Sequence, residues 1–274
     1  MILVTGKNSQ LGLCLKKIIP TAIFTSSSEL DITNYIALNS FIIKNNIDIV
    51  INCDEYSDID KAERQIALSE LSNRFGPMNI AKTGVKVIHI STDYVFGGDS
   101  KIPYREDNNT APLTSYGKTK LAGELALLEL AKKAIIIRTS WLYSEYGDNF
   151  VTNMLRLGQD KIRVSAICDQ LSSPTYAMDL ATIIVNILPQ LDKNQSGVYH
   201  YSNAGVCSLF DLATTTMVMA NLPCKVIPIS SDISKRPSYS VLDTNKIRDT
   251  FGINIPNWRH SLAEMLKSTY EIIS

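Results

Sequence analysis

Three polar residues, Thr92, Tyr116 and Lys120, could together serve the reduction of a carbonyl. Tyr116 and Lys120 stand four apart in a segment with helical patterning, so their side chains share one face. An ammonium beside a phenol stabilises the phenolate and lowers the tyrosine pKa toward neutrality, which makes Tyr116 a usable proton donor. Thr92, in Ser91-Thr92-Asp93 after an apolar run, offers a hydroxyl that polarises the same oxygen. Spacing alone does not separate this set from a solvated helix face. The order strand, Ser/Thr, loop, Tyr, Lys is what carries the reading.

The opening segment is a candidate dinucleotide site. Ile2–Thr5 reads as a strand and ends in Gly6-Lys7-Asn8-Ser9-Gln10-Leu11-Gly12, where a helix begins. Glycines at Gly6 and Gly12 let the backbone turn tightly and approach a pyrophosphate, and a helix N-terminus at Ser9, Gln10 and Leu11 offers free N–H groups. Ser9 stands where the middle glycine is usual, so an ordinary strand-to-helix turn remains the alternative. At the end of the second strand, Thr25-Ser26-Ser27-Ser28 replaces the acid that would favour NAD, with Glu29 and Asp31 arriving later. Serines suit a 2′-phosphate and Lys7 lies in the loop, which points to NADPH. NADH, or a polar connection with no ligand, are the alternatives.

These residues need a scaffold, and the apolar pattern describes one. Strands are predicted at Ile2–Thr5, Ala22–Thr25, Ile47–Ile51, Val85–Ile90, Ala134–Arg138, Ile162–Ile167 and Val198–Tyr201. Helices are predicted near 10–18, 33–44, 58–82, 114–132, 148–158 and 176–188. Strands separated by helices of this length form βαβ crossovers, hence an α/β, Rossmann-like, doubly wound parallel sheet. Within the helix near 114–132, Leu121, Leu125 and Leu128 form the stripe expected to pack on the sheet. Past residue 204 the alternation weakens into a helix near 207–220, a strand Lys225–Ile229, a Ser-rich loop at 230–234 and a helix at 257–270. Residues 1–204 are therefore read as the dinucleotide-binding domain and 205–274 as a substrate-binding lobe, with 146–161 contributing to the lobe. Loops 91–113 and 139–147 should project at the carboxyl edge of the sheet, where ligands bind.

Composition narrows the class. The 274 residues carry 27 basic and 27 acidic side chains. A nucleic-acid binder normally has a basic excess, so none is expected as a partner. No apolar run approaches the roughly 18 residues of a membrane helix, and no membrane partner is expected. Met1 leads straight into a strand, so no signal peptide is expected. Five scattered cysteines without a CxxC pair suit the reducing cytoplasm, and three dispersed histidines suggest no metal site.

The motifs resemble those of the extended short-chain dehydrogenase/reductases, most closely the dTDP-4-dehydrorhamnose reductase family, over nearly the whole chain. The matching residues include Glu29-Leu30-Asp31-Ile32-Thr33, Asp60-Lys61-Ala62-Glu63, Ser91-Thr92-Asp93-Tyr94-Val95-Phe96 and Tyr116-Gly117-Lys118-Thr119-Lys120-Leu121-Ala122-Gly123-Glu124. They continue with Arg138-Thr139-Ser140-Trp141, Asn149-Phe150-Val151, Asp169-Gln170, Ser173-Pro174-Thr175 and Arg236-Pro237. The resemblance implies hydride transfer from NAD(P)H to C4 of a dTDP-linked 4-keto-6-deoxy sugar. It gives Tyr116 the proton, Lys120 the nicotinamide ribose and Thr92 the keto oxygen. Asp93 and Trp141 would contact the sugar, and Asn149 and Arg236 the nucleotide diphosphate. Asp31, Ile32, Glu55, Tyr56 and Ser57 would line the cofactor. A homodimer is the assembly entertained.

The chain departs from the family at the cofactor site. Asn52-Cys53-Asp54-Glu55-Tyr56-Ser57 stands where small alanines are usual, and Asp54 and Glu55 would repel a pyrophosphate unless they turn outward. Ser9 and Ser172 each replace a glycine. Two alternatives to the rhamnose reductase follow: a reductase of another nucleotide 4-keto sugar, and a non-catalytic, NADP-binding regulatory subunit on the same scaffold.

Overall fold

Apolar runs that do not alternate with polar residues fit strands buried on both faces, and the chain folds that way. The computed structural model describes residues 1–191, 195–231 and 236–273. Its first half runs β1 (Ile2–Thr5), α1 (Gln10–Ile18), β2 (Ile23–Thr25), α2 (Tyr35–Lys44), β3 (Ile49–Asn52), α3 (Ile59–Arg64), α4 (Ile66–Glu70), α5 (Gly76–Lys82), β4 (Lys86–Thr92), α6 (Ser115–Leu130) and β5 (Ala134–Thr139). Then come β6 (Leu142–Tyr143), α7 (Phe150–Asp160), β7 (Arg163–Ile167), β8 (Leu171–Ser172), β9 (Thr175–Tyr176), α8 (Ala177–Ile187) and β10 (Gly197–His200). The chain closes with β11 (Cys207–Ser208), α9 (Leu209–Met219), β12 (Lys225–Ile229), α10 (Asn245–Phe251) and α11 (Trp258–Ile273).

Six parallel strands form the central sheet in the order β2-β1-β3-β4-β5-β10. The order reverses between β1 and β3, and ligands bind at such a switch point. On one face, Val4, Ile51, Ile88 and Ile135 pack against Leu11 and Leu15 of α1 and Leu180 and Ile184 of α8. On the other, Leu3, Val50, Val87 and Ile136 meet Leu38, Ile42, Ile80 and Leu127 from α2, α5 and α6.

The strand expected at Ile162–Ile167 forms as β7 but lies outside this sheet, paired in parallel with β12. β8 pairs antiparallel with β11. Trp258 and Leu262 of α11 pack with Val151 and Tyr143, while Met154 and Val164 pack with Ala213 and Met217. In contrast, Ile247 and Phe251 of α10, a helix the apolar pattern did not disclose, join the core of the main sheet. Residues 232–234 of the expected Ser-rich loop lie outside the described residues.

Two expectations are corrected. The single helix near 58–82 is four pieces: Gln65, at φ −128°, separates α3 from α4, and a π-helical turn at Leu71–Phe75 precedes α5. The second concerns α6. Leu125 and Leu128 are exposed, and the helix instead buries Tyr116, Gly117, Thr119, Lys120, Gly123, Glu124 and Leu127. Close approach explains the inversion, because a Cβ on Gly123 would stand 2.1 Å from the Asn73 carbonyl oxygen. A small and polar face allows that approach where leucines would hold the helix away. No helix among the described residues is long and apolar enough to cross a membrane.

Candidate active site

The turn after β1 is built by two glycines and a cap. Gly6 has φ +71°, and a Cβ there would lie 2.6 Å from the Cys53 carbonyl carbon at the end of β3. Gly12 sits against the same turn, where a Cβ would meet the Gly6 oxygen at 2.3 Å. Ser9 has φ −71°, which any residue adopts, and its Oγ accepts the Gly12 N–H at 3.0 Å as the N-cap of α1. The serine is therefore an ordinary cap, and no glycine is required there. The first intrahelical bond runs from Leu13 N–H to Ser9 O, so the amides of Gln10 and Leu11 remain outside the helical ladder.

This turn forms one wall of a cleft of about 740 Å³ at the carboxyl edge of the sheet, within the range of small-molecule sites. Gly6, Ser9, Gln10 and Leu11 line it with Ser26 and Ser27, opposite Thr92, Asp93, Tyr116, Trp141 and Asn149. Gln10 ties the two sides together: its Nε2 donates to Leu142 O at 3.3 Å and its Oε1 accepts from Ser144 Oγ at 2.9 Å.

Tyr116 lies in the first turn of α6, whose N-cap Thr114 accepts the Gly117 N–H at 3.0 Å. A Cβ at Gly117 would stand 2.2 Å from Tyr94 O, so this glycine lets the helix seat against the end of β4. Lys120 is 1% exposed, and its Nζ donates to Ile90 O at 2.6 Å. The anticipated phenol–ammonium couple is interrupted by Glu55. The Tyr116 hydroxyl donates to Glu55 Oε2 at 3.1 Å, and Lys120 Nζ pairs with the same oxygen at 3.0 Å. Burial, reinforced by the Glu55 charge, holds the Tyr116 pKa well above the ordinary tyrosine value, contrary to the expected depression.

Asp93 adds a second acid. It is 2% exposed, Oδ1 accepts from Thr92 Oγ1 at 3.2 Å, and Oδ2 is buried without a partner. Burial pushes its pKa up to about 7. Asp54 also rises, first through burial and then through repulsion from Glu55 and Asp31. Both Asp54 and Glu55 line the cleft and have not turned outward.

The remaining predicted residues divide. Ser57 lines the cleft, and so does Trp141, held at φ +43°. Asn149 reaches the wall while capping α7: Oδ1 accepts from Val151 and Thr152 N–H, and Nδ2 donates to Ser144 O at 2.8 Å. Arg236 is not among the lining residues; it stands 3.5 Å from Asp60 in a solvent-exposed ion pair, near enough for its charge to act on Tyr94, which lines the cleft. Tyr56 points away, its hydroxyl donating to Gln65 Oε1 at 2.6 Å. The Ile32 side chain belongs to the core, and Asp31 caps its own turn by accepting the Thr33 N–H. Lys7 is paired with Glu29. Asn8, Asp148 and Phe150 line the cleft without having been singled out. Their positions in the turn after β1 and beside the projecting 139–147 loop were the available signal.

Residues 1–271 match the RmlD substrate binding domain. The chain is similar to the dTDP-4-dehydrorhamnose reductase of Aggregatibacter actinomycetemcomitans, 34% identical over 283 residues, covering 95% of this chain and 96% of the relative. It is also 34% identical to the spore coat polysaccharide biosynthesis protein SpsK of Bacillus subtilis, over 97% of this chain and 96% of that one. Among solved structures it resembles dTDP-4-dehydrorhamnose reductase from Bacillus anthracis in complex with NADP. That pair has a TM-score of 0.93 and 36% identity, over 98% of this chain and 99% of the other.

Proposed function

This chain belongs to the RmlD substrate binding domain family, and from that premise we propose that it uses NADPH to reduce the C4 keto group of dTDP-4-dehydro-L-rhamnose, giving dTDP-L-rhamnose. It is an oxidoreductase of nucleotide-sugar biosynthesis. The observation that carries the reading is the convergence of Thr92, Tyr116 and the capped α1 turn on one cleft.

The chain's own groups suit the dinucleotide. The Gly6 and Gly12 approach leaves no room for side chains in the turn, and the Gln10 and Leu11 amides stand at the positive end of α1, where phosphate oxygens bind. Ser27, just past β2, lines the cleft where a 2′-phosphate would sit, whereas Ser26 gives its N–H and hydroxyl to Glu29, so the preference for NADPH rests on the NADP-bound relative. When bound, the reduced nicotinamide supplies a hydride.

Thr92 Oγ holds and polarises the keto oxygen, and Tyr116 gives that oxygen its proton. Lys120, fixed by Ile90 O, presents an ammonium for ribose hydroxyls. Asp93 and Trp141 orient the sugar from the far wall. Asn149 holds the α7 end of that wall, and Arg236 offers a guanidinium to the diphosphate from outside the cleft. We assign residues 205–274, with 146–161, to the substrate lobe; the β7–β12 and β8–β11 pairings attach residues 163–172 to it as well, while α10 packs on the main sheet. The cytoplasm is the proposed location, supported by five unpaired cysteines.

The test is to mix folded protein with NADPH and dTDP-4-dehydro-L-rhamnose, and with other nucleotide 4-keto sugars. Loss of the reduced-nicotinamide absorbance with the rhamnose precursor is expected. No turnover of any of these sugars sinks the proposal.

A further inference from the structure

We propose that Glu55 is a positioning residue for proton transfer: its carboxylate takes the Tyr116 hydroxyl as a hydrogen-bond donor and draws the Lys120 ammonium to itself, holding Tyr116 in its protonated, donating form. The inference rests on the reductase reading above.

The geometry is specific. One oxygen, Glu55 Oε2, receives both the Tyr116 hydroxyl at 3.1 Å and Lys120 Nζ at 3.0 Å. Its two partners are buried, Tyr116 at 7% and Lys120 at 1% exposure, while the Glu55 side chain is 33% exposed at the cleft. A surface ion pair with no role would have two mobile, solvated ends. Here one end is a buried ammonium locked to Ile90 O, and the third member is the proton donor itself.

The charges facing Tyr116 come from three elements. α6 contributes Lys120. The segment after β3 contributes Glu55 and Asp54, and the end of β4 contributes Asp93. His89 of β4 is buried, and burial followed by the Lys120 charge lowers its pKa well below the usual value, so it adds no positive charge. The Tyr94 ring packs edge-on at 5.8 Å and is apolar toward the phenol. A phenolate would therefore face the Glu55 and Asp93 carboxylates and one ammonium already engaged by Glu55. The neutral phenol is the favoured form. It still serves as an acid, because the alkoxide formed on reducing a ketone is a far stronger base than a phenolate.

The experiment titrates Tyr116 directly in the cofactor-free protein. Tyrosinate absorbance is followed as pH rises, over the range where circular dichroism shows the fold intact, and the Tyr116→Phe signal is subtracted. In wild type the Tyr116 step should lie above the value for free tyrosine. In Glu55→Gln, which keeps the shape and removes the charge, it should come about 1–2 pH units lower. The alkaline limb of kcat/KM for keto-sugar reduction should move with it. Failure of the Glu55→Gln step to appear below the wild-type step, or below wild-type alkaline unfolding if no wild-type step is seen, overturns the proposal. Should Glu55→Gln not fold, Glu55→Asp, which withdraws the carboxylate from the Tyr116 hydroxyl, replaces it under the same comparison, and a wild-type step at or below the free-tyrosine value also overturns the proposal. A protein that turns over no nucleotide keto sugar refutes the reductase reading alone, since the absorbance titration needs no turnover.

Discussion

Replacing Glu124 with glutamine should destabilise the protein more than any other single charge removal in the catalytic half of the chain. Arg138 and Glu124 are 4% and 1% exposed, and the guanidinium grips the carboxylate through Nε at 3.0 and 3.1 Å and through a second nitrogen at 2.7 Å. Ser91 Oγ donates to the same carboxylate, and the guanidinium lies 5.1 Å from the centre of the Phe96 ring. The pair thereby joins α6 to β4 and β5, one turn below Lys120. Glu124→Gln leaves a buried guanidinium without its counter-charge, a loss of about 3–5 kcal/mol. For a chain of this size that corresponds to a fall in Tm of roughly 6–20 °C. Replacing both partners with apolar residues of similar volume, Glu124→Leu with Arg138→Met, removes the desolvated charges together and should recover most of the loss. Urea unfolding of wild type, Glu124→Leu, Arg138→Met and the double variant gives the cycle, with Glu124→Gln measured beside it. A single-variant loss below about 1 kcal/mol, or a double variant less stable than either single, would refute the reasoning.

Four further outcomes are expected. Tyr116→Phe should lower kcat by about 10²–10⁴-fold while NADPH binding, read by fluorescence titration, persists. Gly12→Ala places a methyl 2.3 Å from Gly6 O, and it should cost about 1–3 kcal/mol in urea unfolding and abolish dinucleotide binding. Ser9→Ala should cost about 1 kcal/mol through the lost cap, whereas Ser9→Gly should cost only a few tenths. Asp93 is the pH-dependent case: its folded pKa, raised by burial to about 7 from 3.8, means that the native state binds the proton more tightly than the unfolded chain. Wild-type stability from this group is present at low pH and lost as pH rises toward 7, so Asp93→Asn should gain relative to wild type between about pH 4 and 8, by on the order of 3 kcal/mol. Unfolding midpoints across that range check the sign.

The main sheet was legible because its strands are short continuous apolar runs and its helices are periodic. The turn after β1 was legible because Gly6 and Gly12 answer to steric needs that act locally. Sequence patterning failed where a distant contact decides the outcome. Within the broken stretch from α3 to α5, Asn73 accepts the Tyr56 N–H at 2.8 Å and donates to Thr119 Oγ1 at 3.1 Å, contacts that no periodicity encodes. The leucines of α6 looked like its packing face, but Glu124 needed Arg138, 14 residues away in sequence, to make the polar face the buried one. Thr92 and Tyr116 were singled out by chemistry and resemblance together and Trp141 by resemblance, and all three line the cleft. The direction of the Glu55 side chain was not legible, since a carboxylate beside a pyrophosphate site is expected to avoid it. Tyr56 illustrates the converse: neighbour to Glu55 in sequence, it turns to Gln65 instead.

The pairing of β7 with β12 and of β8 with β11 also sets an order of assembly. As the chain leaves the ribosome, β1 through β5 can close most of the sheet from contiguous crossovers, whereas β7 and β8 emerge with open hydrogen-bonding edges. Lys225–Ile229 and Cys207–Ser208 must be synthesised before those edges are covered. The second half of the chain therefore matures last and is the stretch most open to misassociation with other nascent chains.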